Sequence, residues 1–192
     1  AAAMLLTLRG TPFLYYGEEI GMRDIHLKRA ELKDPVGKRF WPLPVGRDGC
    51  RSPMQWNSQE NAGFTTGIPW LKVHPNYRSR NVARQKEDPN SLLSFYRALI
   101  HLRKSLPALR EGMFLPLHHN PKRILAYLRQ TKGQTILVAL NFSRRNAKLA
   151  VGGEISRHSW EVLLSSKKRN RPIFEKGWLK LEGYEACLLI QK

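Results

Sequence analysis

The chain has 192 residues, 42% of them hydrophobic, which is enough for one or two small domains with a real core and excludes disorder as the default. Lys and Arg (33) outnumber Asp and Glu (15), giving a formal net charge of +18. Such a balance permits polyanion binding. The basic residues are spread along the whole chain, however, and the densest run, Lys167-Lys168-Arg169-Asn170-Arg171, carries no zinc-finger spacing, RNP-type aromatic motif or basic heptad. A solvated basic surface is the expectation, with no specific nucleic-acid function. No apolar run approaches the ~20 residues of a membrane span, so no membrane partner is expected. Ala1 to Leu8 lacks the basic lead-in and cleavage segment of a signal peptide. Cys50 and Cys187 stand far apart, which argues against a disulfide framework and for a reducing, cytoplasmic setting.

In chain order, Ala1 to Leu8 reads as the end of a helix, with Gly10 where a C-terminal cap belongs. With no N-cap and no polar lead-in, an apolar helix at a chain start reads as cut from something larger. Phe13 to Tyr16, bounded by Pro12 and Gly17, suits a short buried strand. Glu18 and Glu19 follow it directly. Just past a barrel strand they are candidate catalytic acids, or else carboxylates satisfying nearby backbone donors.

Gly21 to Asp88 is a long polar connection rich in Pro and Gly, opening with a helical stretch at Leu27 to Leu32. Ordered connections of this length are usually functional. Its centre is Gly46-Arg47-Asp48-Gly49-Cys50-Arg51-Ser52-Pro53-Met54-Gln55-Trp56, then Asn61-Ala62-Gly63-Phe64. Arg47, Asp48 and Arg51 offer charge-assisted hydrogen bonds, and Trp56 and Phe64 offer flat apolar faces. Asp88-Pro89-Asn90-Ser91 signals a helix start, and Leu92, Phe95, Tyr96, Leu99 and Leu102 recur at helical spacing up to Leu106-Pro107. From Met113 onward the pattern turns to short strands: Met113 to Leu117, Ile124 to Arg129, Thr135 to Asn141, Ala147 to Val151, Trp160 to Leu164, Trp178 to Leu181 and Tyr184 to Ile190, with a hairpin at Lys132-Gly133. Their spacing predicts a small antiparallel sandwich.

The Gly46 to Trp56 run with Asn61 to Phe64 resembles the loop after the eighth barrel strand in α-glucosidases of the α-amylase family of glycoside hydrolases, with Ser52 in place of the usual Thr. Gly10-x-Pro12 with Gly17-x-Glu19 is similar to that family's mark of the last barrel strand, which does not contain the catalytic acids. On that ground Glu18 and Glu19 are read as structural. Gly67-Ile68-Pro69-Trp70, Pro75-Asn76-Tyr77 and Asn81-Val82 continue the likeness, and Ile124-Leu125-Ala126-Tyr127 and Val138 to Ser143 look like the family's C-terminal β-domain.

The resemblance implies an α+β fragment: the last βα unit of a (β/α)8 barrel over residues 1–109, then an antiparallel β-sandwich over 110–192. It implies the C-terminal portion of an α-glucosidase of carbohydrate metabolism that acts on α-linked glucosides with retention, through two carboxyl groups ~5 Å apart. Neither the family's Asn-His-Asp motif nor its nucleophile motif occurs in the sequence, so this chain carries no catalytic residue and should be inactive alone. Arg51 matches the Arg associated with the family's glucose-binding subsite, where a guanidinium fork can hold sugar hydroxyls. Arg47 and Asp48 fit loop bracing or substrate contact. Trp56 could stack on a sugar, although packing beneath the loop beside Met54 is the favoured reading. No cofactor and no metal site are expected: the six histidines and two cysteines show no ligand spacing. The expected partner is an α-glucoside oligosaccharide bound by the full-length parent, with self-association or a complementing N-terminal part to cover barrel surfaces. The alternatives are a related transglycosylase or isomerase such as trehalose synthase, and a stand-alone basic module for carbohydrate or polyanion.

Overall fold

The structure, a computed structural model, describes residues 1–117 and 123–192. It divides into two compact units, one comprising Phe13–Tyr96 and the other Ala1–Pro12 with Arg97–Lys192. Among the described residues no helix is long and apolar enough to cross a membrane.

The second of these units holds the sandwich. Strands β1 (Met113–Pro116), β2 (Ile124–Thr131), β3 (Gln134–Asn141), β4 (Ala147–Ala150), β5 (Trp160–Ser165), β6 (Phe174–Glu175), β7 (Trp178–Leu181) and β8 (Ala186–Gln191) form two antiparallel sheets. One runs β1-β2-β3-β8-β5 and the other β4-β7-β6. Strand alternation turns Ile124 and Ala126, Leu137 and Ala139, Leu149, Leu179 and Leu181, and Cys187 and Leu189 into one shared core, closed by Trp160. Seven of these strands sit where the sequence pattern puts them; the two-residue β6 was too short to leave a period-2 signal. Lys132-Gly133 joins β2 to β3 as a two-residue hairpin. Burial pushes the Cys187 thiol up to about 12, with the Glu185 charge adding to it, so this cysteine is an inert apolar core group.

The outer face of the large sheet carries an unusual pair, Tyr127 and Arg129, both fully buried. They meet the end of helix α1 (Ala2–Thr7). The last carbonyls of a helix have no internal partner. Arg129 donates through Nη1 to the Thr7 carbonyl and through Nη2 to the Gly112 carbonyl, at 2.5 and 3.0 Å. Arg103 donates to the carbonyls of Leu6 and Leu8, at 2.8 and 2.9 Å, and to Gly10. The Thr7 hydroxyl meets the Tyr127 hydroxyl at 2.5 Å. Two guanidinium groups thus cap one helix, Arg129 fastening it to the sheet and Arg103 to the helical segment at residues 92–105. Gly10 (φ +102°) turns the chain just beyond the capped end.

The unit Phe13–Tyr96 has little regular structure: short helices α2 (Pro35–Arg39) and α3 (Val82–Lys86), five single-turn 3-10 segments, and the start of α4 (Leu92–Ser105), which is followed by α5 (Pro107–Arg110). Its apolar packing is split between two small clusters. Ile20, Met54 and Leu93 form one, and Ile25, Leu27 and Leu71 the other.

Four expectations are corrected here. Phe13 to Tyr16 forms no ladder, and Phe13 is 85% exposed, because a barrel strand takes its hydrogen bonds from neighbours on both sides and no described strand lies beside it. The helical turn expected at Leu27 to Leu32 is confined to Arg29–Glu31. Helix α4 begins at Leu92, capped by Ser91 Oγ, which accepts from the Ser94 N–H at 3.1 Å. Asp88 instead closes a turn by accepting from the Asn90 N–H. The buried line of α4 runs through Leu93, Tyr96 and Leu99; Tyr96 and Leu99 are as expected, while Leu93 takes the place of Leu92, which is exposed. A 3.6-residue period allows either leucine, and packing decides between them.

Replacing Arg129 with Met would leave buried carbonyls of Thr7 and Gly112 without donors. Arg129→Met should lower the unfolding free energy by about 3 kcal/mol, read from urea denaturation. An unshifted midpoint would show that the guanidinium does not hold the helix to the sheet.

Candidate functional site

The Gly46 to Trp56 segment is positioned by buried side chains that hydrogen-bond to backbone. Asp34 starts helix α2 by accepting from the Val36 N–H at 3.0 Å, and its other oxygen accepts from the Arg47 N–H at 2.8 Å. Those backbone bonds, from Arg47 first and Val36 second, hold the Asp34 carboxyl below the usual carboxylate range. Asp48, 2% exposed, accepts from the backbone N–H groups of Lys33 and Asp34, at 2.6 and 2.7 Å. The Arg47 guanidinium is solvent-facing, with Nε 4.0 Å from Asp34. The start of the segment, at residues 47 and 48, is therefore tied back to Lys33 and Asp34.

Downstream, Gln55 is fully buried and donates through Nε2 to Asn76 Oδ1, at 3.2 Å, and to the Arg80 carbonyl. Its carbonyl accepts from Val82 and that of Trp56 from Ala83, at 3.0 and 2.8 Å. The segment folds back on itself at Asn61, Ala62 and Gly63, three consecutive residues with φ of +49°, +58° and +67°. Left-handed backbone at non-glycine residues costs about 1–3 kcal/mol each and persists only where the surroundings fix it. Here the Ala62 carbonyl accepts from both Trp56 and Asn57, and Asn61 Nδ2 donates to the Thr65 and Gly67 carbonyls.

This frame shapes a cavity of about 490 Å³ lined by Arg51, Glu19, Tyr16, Trp56, Phe64 and Trp70. The four aromatic residues are each 42–51% exposed. Trp56 thus stands in the cavity wall and not beneath the loop, whereas Met54 is buried against Ile20 and Leu93 at the base of the same cavity. Burial first, then the neighbouring Tyr15, pushes the Tyr16 phenol up, so it stays a donor, bonding the Ser52 carbonyl at 2.8 Å. The Glu19 carboxylate accepts from the Gly17 N–H at 2.8 Å, the backbone role expected for it. Arg51 ends a 3-10 turn, half-buried, and its guanidinium has no hydrogen-bonded partner among the described residues. A cation carried on a braced backbone among aromatic faces, with donors to spare, is suited to hydroxyl-rich rings.

Of the residues singled out from the sequence, Arg51 and Trp56 meet in this cavity, while Arg47 and Asp48 lie in the turn that carries it. Glu18 is exposed and is not part of the lining. Sequence reasoning missed Asp34 and Gln55 as braces. Asp34-Pro35 is a helix-start signature that could have revealed the first. Nothing in the pattern marks Gln55 as a brace, since its partners, Asn76 Oδ1 and the Arg80 carbonyl, are distant in sequence. Among the described residues no group of three or more His, Cys, Asp or Glu could hold a metal ion.

Because the folded pKa of Asp34 is depressed, its contribution to the loop is present above the ordinary carboxylate value near 4 and is lost as pH falls through the lower folded value. Hydrogen-exchange protection of the Arg47 and Val36 amides should therefore drop as the solution is acidified below about pH 4. In Asp34→Asn it should already be weak at neutral pH. Protection independent of pH and of this substitution would show that the carboxylate does not brace the turn.

Residues 1–112 match the family described as "Alpha amylase, catalytic domain", and residues 114–188 match "Maltogenic Amylase, C-terminal domain". The chain is 39% identical over 164 residues to "Probable oligo-1,6-glucosidase 2" of Bacillus subtilis (strain 168), covering 76% of this chain and 29% of that protein. It is 36% identical over 182 residues to "Oligo-1,6-glucosidase" of Halalkalibacterium halodurans, covering 86% and 32%. It superposes on the trehalulose synthase MutB from Pseudomonas mesoacidophila MX-45 with a TM-score of 0.85 and 32% identity, covering 100% of this chain and 37% of that one. The chain thus spans about a third of the length of the relatives it matches. It belongs to the α-amylase family of glycoside hydrolases, with a segment of the catalytic domain followed by an antiparallel β-sheet C-terminal domain.

Proposed function

We propose that this chain is the C-terminal portion of an α-glucosidase that cleaves α-linked glucosides with retention, and that the aromatic cavity around Arg51 is one wall of its sugar site. The observation that carries this reading is the Arg51 guanidinium, without a hydrogen-bonded partner among the described residues, in a braced loop beside Tyr16, Trp56, Phe64 and Trp70. The names of the bacterial relatives, oligo-1,6-glucosidases, support the substrate class. Arg51 binds substrate hydroxyls in this account. Trp56 offers a stacking face, and Asp48 and the Arg47 backbone brace the loop.

The domain division we propose is residues 1–109 for the end of the barrel and 110–192 for the β-sandwich. The run Phe13 to Tyr16, exposed and without a ladder, is where the rest of the barrel, or failing that a second copy, would pair. A cytoplasmic location is supported by the two free cysteines. Retaining hydrolysis needs two carboxyl groups about 5 Å apart. The cavity lining contains one carboxylate, Glu19, already engaged with backbone. The acid and nucleophile would come from the remainder of the barrel.

A second reading, a parent that transfers or isomerises the glucosyl unit, is favoured by the superposition on a trehalulose synthase. The two separate by product: the hydrolase releases free glucose, the isomerase returns a rearranged disaccharide.

Two outcomes test the proposal. The 192-residue chain incubated with isomaltose should release no glucose; release would place the carboxylates within it. In the enzyme whose barrel includes this segment, Arg51→Ala should lower kcat/KM for isomaltose by roughly 10- to 100-fold, the value of a charge-assisted hydrogen bond. Arg51→Lys should recover only part of that loss, for want of the planar fork. An unchanged kcat/KM would remove Arg51 from the sugar site.

A further inference from the structure

The three-stranded sheet has an outer face that the sugar site does not use. Strand alternation turns Leu149, Leu179 and Leu181 inward and leaves Lys148 and Ala150 on β4 and Trp178 and Lys180 on β7 facing out. The register sets Lys148 directly opposite Lys180, and Ala150 opposite Trp178. Like charges opposite one another on a ladder are destabilising. Only Lys180 of this pair has a carboxylate, Glu175, at 2.5 Å. Lys148 has no ion-pair partner among the described residues. The small Ala150 beside Trp178 leaves that indole 40% exposed.

These residues border a cleft of about 570 Å³, within the size range of small-molecule sites. Arg123, Lys148, Arg169 and Lys180 line it against one carboxylate, Glu182, with Trp178 and Ile173 as the apolar wall. Arg169 is fixed. Its side chain is 9% exposed, Nη1 donates to the Lys180 carbonyl at 2.8 Å and Nη2 to Glu185 at 2.6 Å. Its buried Nε–H finds no acceptor among the described residues. A rigidly held guanidinium, two facing lysines that share one carboxylate, and an open indole face occur together along one cleft.

We propose that this cleft binds a phosphorylated sugar, its phosphate held by Lys148 and Lys180 with Arg123, and its ring against Trp178. A neutral glucan would leave Lys148 without a counter-charge. Bare phosphate would make no use of Trp178 and Ile173. The proposal stands independently of the Arg51 cavity, which belongs to the other unit.

The test is isothermal titration of the 192-residue chain with glucose 6-phosphate, glucose, inorganic phosphate and AMP. Glucose 6-phosphate should bind with a Kd below about 1 mM, at least about tenfold more tightly than each of the other three. Lys148→Ala and Trp178→Ala, both at exposed positions and checked by circular dichroism for an intact fold, should each weaken it about tenfold. Lys148→Arg should keep it, and Arg51→Ala should leave it unchanged. The proposal is overturned if inorganic phosphate binds as well as glucose 6-phosphate, if AMP binds more tightly, if Lys148→Ala has no effect, or if Arg51→Ala abolishes binding.

Discussion

A long segment outside sheets and helices must still satisfy its buried backbone groups, and that requirement organises the functional part of this chain. Between Gly21 and Asp88 turns and a few backbone cross-links meet part of that requirement, and buried side chains meet a further part. Asp34 and Asp48 accept the amides of residues 33, 34, 36 and 47, Gln55 donates to the Arg80 carbonyl, and Asn61 donates to the Thr65 and Gly67 carbonyls. These bonds do what a ladder does elsewhere. They fix the loop without covering it, so its aromatic residues and Arg51 stay open while the loop keeps one shape. Apolar burial contributes less here, because it is divided between two small clusters. Preorganisation of this kind suits a sugar site, where the ligand offers many weak polar contacts and ordering the protein on binding would cancel them.

Elsewhere in the chain the same problem has a different solution. The orphan carbonyls of α1 are met by Arg103 and Arg129; Arg129 Nη1 faces the Thr7 carbonyl at the helix C-terminus, the favourable end for a cation, and Nη2 the Gly112 carbonyl, while its buried Nε–H has no acceptor among the described residues. Burial lowers the Arg129 pKa, with Arg103 adding to the effect, yet a guanidinium remains charged in proteins. The sandwich beyond it needs no such device, since its core is continuous and apolar.

The fold was most legible where local pattern and tertiary packing agree. The strands from Met113 onward alternate, and their neighbours lie within the same chain, so period-2 reading placed them to within a residue or two. It failed at Phe13 to Tyr16, where the residues favour a strand but the ladder has no partner, and at the start of α4, where Leu92 and Leu93 compete and only packing against Ile20 and Met54 selects Leu93. In the candidate site, Arg51 and Trp56 were visible because they sit in a dense motif. Asp34, Gln55 and the outward side of Trp56 were hidden, because each depends on backbone atoms distant in sequence or on which way a side chain turns. The Lys148–Lys180 pair was hidden for the same reason, since two unremarkable lysines become a conflict only once the register is known.

The claim at the centre of this account is that the braced Arg51 loop is one wall of a glucoside site whose carboxylates lie in the same polypeptide. The most direct test is the coding sequence immediately upstream of Ala1. The account predicts a frame that stays open and encodes the Asn-His-Asp strand and the earlier carboxylate motifs. A stop codon followed by a start site directly before Ala1 would contradict it, leaving the loop without the groups that make a hydrolase.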